Sequence, residues 1–240
     1  MGTLAMFALW QLLVPIYGQP NAPIRGRITQ EIYGIVTMLD VTATLFLIFL
    51  VADATLYLRS FIKQLSAFRS LWPKKTVSHY EQKLGLNGCD LDDWIDIQFL
   101  AKRTKCITSL IYFPFLMFAL LVVSRSQVFD NFTMTPTLVI TQVISVLVIV
   151  ASVLALRAAA ERARAIAAEN LTARIIAAKG ASGARANTAD QLQILLAGVE
   201  SLREGAFAPL SSQPVVKAIL LPLLSYGGSV IAQMYAVPGL

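Results

Sequence analysis

Two stretches of this chain carry no charged residue at all, Cys106 to Ser124 and Asn131 to Leu156. A helix of about 20 apolar residues crosses a hydrocarbon layer about 30 Å thick, so each stretch is long enough to span one. A third, Ile32 to Leu58, is interrupted only by Asp40 and Asp53, and Arg59 and Lys63 follow it at once. Few other folds can hide so much unbroken oil. The 240 residues are 56% hydrophobic and 14% charged, with a mean hydropathy of +0.65. A soluble domain carries about 25% charged residues, and a chain of this size has too little interior for the excess. Disorder is excluded because disordered chains are poor in apolar residues.

The charges sort the spans. Of the twenty Lys and Arg, nine lie between Arg59 and Lys105 and eight between Arg157 and Lys217. The positive-inside rule puts both blocks on the cytoplasmic face and the Arg125–Pro136 loop outside. The net charge of +6 and the pI near 9.5 do not point to nucleic acid, because no interleaved aromatics or recognition motif accompany the basic residues.

The predicted fold is all-α: a polytopic integral membrane bundle of three spans, and up to five, with a cytoplasmic helical stalk and hairpin. The segments are a short apolar N-terminal piece (1–31), a span (32–58), a basic helical cytoplasmic loop (59–105), a span (106–124), an outer loop (125–136), a span (137–156), the stalk and hairpin (157–205) and an apolar C-terminal piece (206–240). Residues 3–17 are expected to end at Pro15, as a short span, a half-embedded helix or an uncleaved anchor. Residues 218–240, broken by Pro222, Gly227 and Gly228, fit a kinked span or a re-entrant hairpin. If both terminal segments cross, the N-terminus is inside; if neither does, it is outside. Pro114 is expected to kink the second span.

The third span does not stop at the membrane. No Gly or Pro interrupts Leu156 to Lys179, and Ala, the best helix former, dominates. Helix over 137–179 would be about 65 Å long, with Arg157–Glu161 and Glu161–Arg164 at helical-neighbour spacing. Gly180 breaks it. A second helix is predicted from Thr188, with Gln191 completing a capping box, and Gly205 ends it. Leu192, Leu195, Leu196, Val199 and Leu202 form one apolar stripe at helical spacing. That stripe is the candidate partner-binding face, packing on the Ala-rich arm or on another chain. Trp72 and Trp94, beside Lys74, Lys75, Lys102 and Arg103, read as membrane-interface anchors.

Asp40 and Asp53 are the candidate ion or proton sites, because a carboxylate inside a span is expensive and usually faces a bundle interior, water or a partner. Their thirteen-residue separation does not pair them on one face. The alternative for each is a structural hydrogen bond, for Asp40 to Thr37, Thr42, Thr44 or a neighbouring helix. Asp90, Asp92, Asp93 and Asp96 lack the Gly and Glu of an EF-hand loop and read as helix capping, with Asp90 the N-cap. Cys89, Cys106 and His79, the only histidine, are too few for zinc. His79 has no nucleophile elbow nearby, and Gly180 to Gly183 lacks the Lys-Ser/Thr of a P-loop. Asn131-Phe-Thr133 matches a glycosylation sequon, a chance match if the Ala and Arg usage marks a bacterial chain.

No catalytic residue, metal or cofactor is therefore expected. The primary expectation is a non-enzymatic membrane subunit, anchor or scaffold in a bacterial inner membrane. It would contact lipid and engage itself or a protein partner at the cytoplasmic face through the hairpin. The alternative is an ion- or proton-coupled channel or transporter using Asp40.

Overall fold

The computed structural model describes residues 2–18, 26–68, 70–85, 91–124, 136–180, 186–209, 216–220 and 224. Among these residues the chain is helical and has no strand. Seven helices follow in order: α1 (Gly2–Tyr17), α2 (Arg27–Ala67), α3 (Lys74–Leu84), α4 (Asp92–Leu110), α5 (Tyr112–Ser124), α6 (Pro136–Lys179) and α7 (Ala186–Ser201). A 3-10 turn, Gly205–Phe207, comes after them. Three stretches are long and apolar enough to cross a membrane: Arg27–Ala67, Asp92–Leu121 and Val139–Lys179.

The local chemistry explains most boundaries. α6 opens on Pro136, whose missing N–H costs nothing in a first turn, and runs unbroken for 44 residues to the Gly180 break. α4 and α5 are separated only at Ile111, where Pro114 has no N–H to give the Leu110 carbonyl. α3 closes on Gly85 at φ +66, whose N–H caps the Glu81 carbonyl.

Three boundaries differ from expectation. Pro15 does not end α1, which runs on to Tyr17. Pro15 removes a single bond near the C-terminus, and the stop is Gly18, at φ +83, with its N–H on the Val14 carbonyl at 2.9 Å. α7 already includes Ala186, so Thr188 is inside the helix rather than its cap. Gly205 does not terminate α7 either; the helix stops at Ser201, and Gly205 has the different role described below. The predicted Asp90 cap, the sequon, the outer loop and nearly all of 218–240 lie outside the described residues.

The described residues divide into two compact units. The first draws on Met1–Ala54, Ser109–Val153 and Pro214–Leu240. Its core gathers Leu45, Ile48 and Val51 of α2, Phe115 and Phe118 of α5, and Ile149 and Val153 of α6, with Met6 of α1. The second comprises Thr55–Thr108 and Leu154–Gln213. There α6 presents Leu156, Ala160, Ala163, Ala167 and Leu171 at three- and four-residue spacing, all buried. Small side chains on one stripe let neighbouring helices approach closely. Leu192, Leu195 and Val199 of α7 are buried in the same cluster, and Leu196 and Leu202 pack against it.

The Leu192–Leu202 stripe is thus turned inward, onto the chain's own Ala-rich arm. It is not an open docking face. Leu195 is 1% exposed, and an unpaired carboxylate there costs several kcal/mol. Leu195→Glu with Leu196→Glu is therefore expected to unfold the second unit, seen as lost helicity and rapid proteolysis within 154–213. If the unit stayed folded and only an association were lost, the stripe would be a docking face after all.

Candidate functional site

In the first unit α2 is apolar on the wrong side for water. Ile32, Ile35, Val36, Met38 and Leu39 point outward, 52% to 65% exposed. Tyr33, Thr37, Asp40 and Thr44 are half-buried on the opposite face. Gln30, Tyr33, Thr37, Asp40 and Thr44 step by three, four, three and four residues, which keeps them on one side of a helix. α6 repeats the arrangement. Thr137, Thr141 and Ser145 are buried, while Val139, Val143 and Leu147 are exposed. Further along both helices the inward residues turn apolar, at Leu45, Ile48 and Val51 on α2 and at Ile149 and Val153 on α6. Among the described residues of this unit, the inward polar side chains of α2 and α6 lie in the N-terminal halves of the two helices.

Asp40 lines a cavity of about 30 Å³ with Thr44, Thr141, Gln142, Ser145 and Trp10. Thr141 is committed, its hydroxyl donating to the Thr137 carbonyl at 2.8 Å. Ser145, 1% exposed, leaves its Oγ buried with no hydrogen-bond partner among the described residues, and Gln142 does the same with Nε2. Buried polar atoms of that kind are uncommon and call for an explanation. A second cavity of about 260 Å³ is lined by Trp10, Gln11, Gln30, Tyr33, Gly34 and Thr37, among others. Trp10 and Val41 line both cavities.

The other site residues fall elsewhere. Asp53 is exposed on α2 and joins neither cavity. Trp72 and Trp94 are partly buried and pack against the core of the second unit. The Trp72 indole donates to Asp96 at 2.8 Å and its ring meets Phe99 at 5.6 Å. The Trp94 ring meets Tyr80 at 5.4 Å, and a Cβ on Gly198 would stand 3.0 Å from its Nε1. Lys74 and Lys75 are exposed.

The acidic cluster does more than cap α4. Asp93 pairs with Arg174 of α6 at 3.0 Å, and Asp96 accepts hydrogen bonds from Ser70 and Trp72. Both line a groove of about 380 Å³ in the second unit, with their charges already engaged there. Glu161 pairs with Arg164 at 3.7 Å as its spacing predicts, whereas Arg157 donates to the Ala208 carbonyl at 3.1 Å. Among the described residues no three His, Cys, Asp or Glu side chains are grouped so that they could hold a metal ion.

Comparison with known proteins returns nothing: no protein family, curated protein or solved structure matches this chain. Its class rests on its own geometry, that of a helical protein with three stretches long and apolar enough to cross a membrane.

Proposed function

We propose that this is a non-enzymatic, multi-pass protein of a cell membrane, in which Asp40 couples the movement of a proton or small cation. One observation carries the reading. Asp40 lines a cavity shared with Thr44, Gln142 and Ser145, inside a unit that exposes a run of large apolar residues on α2 and α6. That pattern is unfavourable in water and suits lipid, where ionisable residues face a polar interior and mark ion or proton pathways. The two basic blocks favour a cytoplasmic location for 59–105 and 157–205.

A subunit or scaffold that recruits a partner through the hairpin has less support, because the stripe meant for that partner is buried in the chain's own core. Two measurements on proteoliposomes test the proposal, namely dissipation of an imposed proton gradient by the wild type and by Asp40→Asn. Gradient collapse that needs Asp40 supports it. Equal flux through both proteins rejects Asp40 as the coupled group.

A further inference from the structure

In the second unit α2 and α4 meet through aromatic rings. Phe61 of α2 lies 6.1 Å from Phe99 of α4, centre to centre, and Trp72 reaches the same Phe99 at 5.6 Å. Two neighbours therefore hold the Phe99 ring in place. One turn further along α4, Arg103 carries its guanidinium carbon 5.1 Å from the centre of that ring. At this range the ring attracts a cation, and the attraction leaves guanidinium N–H donors unspent. Among the described residues no carboxylate or carbonyl accepts from them. Lys102 beside it is exposed and pairs with no carboxylate among those residues, whereas Lys105 pairs with Glu204 at 3.3 Å.

The place of Arg103 along its helix decides what it meets. It stands three residues before Cys106, where an uncharged run begins, and three residues are about 4.5 Å of helix. The headgroup layer adds about 5–7 Å to each side of the hydrocarbon, so Arg103 lies at the depth of lipid phosphates. One turn from Phe61 in the same direction, α2 carries Tyr57, 79% exposed. Tyr57 adjoins Leu58, the end of the first long apolar stretch. A tyrosine suits that boundary, with its ring among lipid chains and its hydroxyl among headgroups.

We propose that Arg103, mounted on Phe99 and flanked by Lys102 and Tyr57, binds the phosphate of an anionic phospholipid in the leaflet next to the second unit. The planar fork of an arginine matches two phosphate oxygens at once. Lys102 selects the headgroup: a zwitterionic lipid brings its own ammonium toward two cations with no carboxylate to receive it, and an anionic lipid does not. The inference rests on the membrane reading above and not on Asp40.

Lipid titration of the purified full-length protein tests the site without relying on transport. Detergent-solubilised protein is titrated with short-chain phosphatidylglycerol, and separately with phosphatidylcholine of the same chains, and native mass spectrometry counts the lipid retained. The wild type is expected to retain phosphatidylglycerol in preference. Arg103→Gln should weaken that retention about tenfold or more, the fold-change of a lost charge-assisted hydrogen bond. Arg103 is exposed, so circular dichroism should show the variant as helical as the wild type. Phe99→Leu, which removes the platform and keeps the charge, should also weaken it. Lys75→Gln removes the same charge from an exposed position on α3 and should change little.

Unchanged retention in Arg103→Gln, or an equal loss in Lys75→Gln, would overturn the site, the second by showing that net charge alone attracts the lipid. Glycerol phosphate binding as tightly as the lipid would mean a site for free phosphate instead. Alkaline carbonate washing of liposomes carrying the protein separates this inference from the reading beneath it. A chain stripped from the liposomes overturns both, and a chain that stays but shows no preference for phosphatidylglycerol overturns the site alone.

Discussion

Replacing Asp40 by asparagine is expected to cut proton flux by at least about a hundredfold, the lower end of what a positioned proton-transfer group contributes. The substitution keeps size and shape, so the cavity shared with Thr44, Gln142 and Ser145 keeps its form. What is lost is the ability to take and give up a proton. No other group on that cavity wall titrates, so nothing there can substitute. Asp40→Glu is expected to retain part of the flux, because the carboxylate remains, but the extra methylene must fit a cavity of about 30 Å³. A pH-sensitive dye sealed in the liposomes reads the flux, and circular dichroism confirms that both variants stay helical. A large loss in Asp40→Glu equal to that in Asp40→Asn would show that geometry, rather than proton exchange, is what the residue supplies.

The largest expected effect on stability from a single substitution of one small residue for another comes at a residue with no side chain. Gly205 sits at φ +59, and a Cβ there would come within 2.5 Å of the Ala101 carbonyl oxygen and 2.9 Å of the Lys105 nitrogen, and closer still to Thr104 Oγ1. No side chain fits that space. The close approach lets the Ala206 N–H donate to Thr104 Oγ1 at 3.0 Å, while the same hydroxyl donates to the Leu100 carbonyl at 2.8 Å. It also seats Phe207, 1% exposed, with the Arg164 guanidinium 5.6 Å from its ring centre. In Gly205→Ala the turn must lift off α4 and take Phe207 out of the core. The expected cost is about 3–5 kcal/mol, comparable to truncating a buried Phe, and thermal unfolding of the purified protein measures it. A loss below about 1 kcal/mol, the conformational penalty alone, would mean that the turn is not held as described.

The long helices were legible because their signals are local. Thr137 to Lys179 has no breaker and ends at Gly180, and α6 runs from Pro136 to Lys179. Pro114 withholds one hydrogen bond, and the helix is interrupted at Ile111. The candidate site was half legible. Asp40 stands out in any reading because it is a charge in oil. Its cavity neighbours Gln142 and Ser145 are about a hundred residues away, in a span whose Val and Ile content suggests lipid contact or close packing. Only the folded chain brings them together. One signal for the wider site does lie in the sequence: the row from Gln30 to Thr44 repeats at helical spacing, although attention to charge alone passes over it. The stripe from Leu192 to Leu202 shows the opposite limit. Periodicity says that a face is buried but not against what, and here the covering surface is the chain's own α6 and α4. The packing of Trp72 and Trp94 against the second unit's core is hidden for the same reason. A neighbouring Lys is visible in the sequence, but a hydrogen bond to Asp96 across 24 residues is not.

The apolar layer beyond Asp40, built from Leu45, Ile48, Phe118 and Ile149, has an electrical consequence. A voltage across a membrane falls mainly where the dielectric constant is low. If Asp40 carries charge as proposed, a charge leaving it past those four side chains would cross the steepest part of the field, and the work, about 2.3 kcal/mol per elementary charge per 100 mV, would fall on that one step.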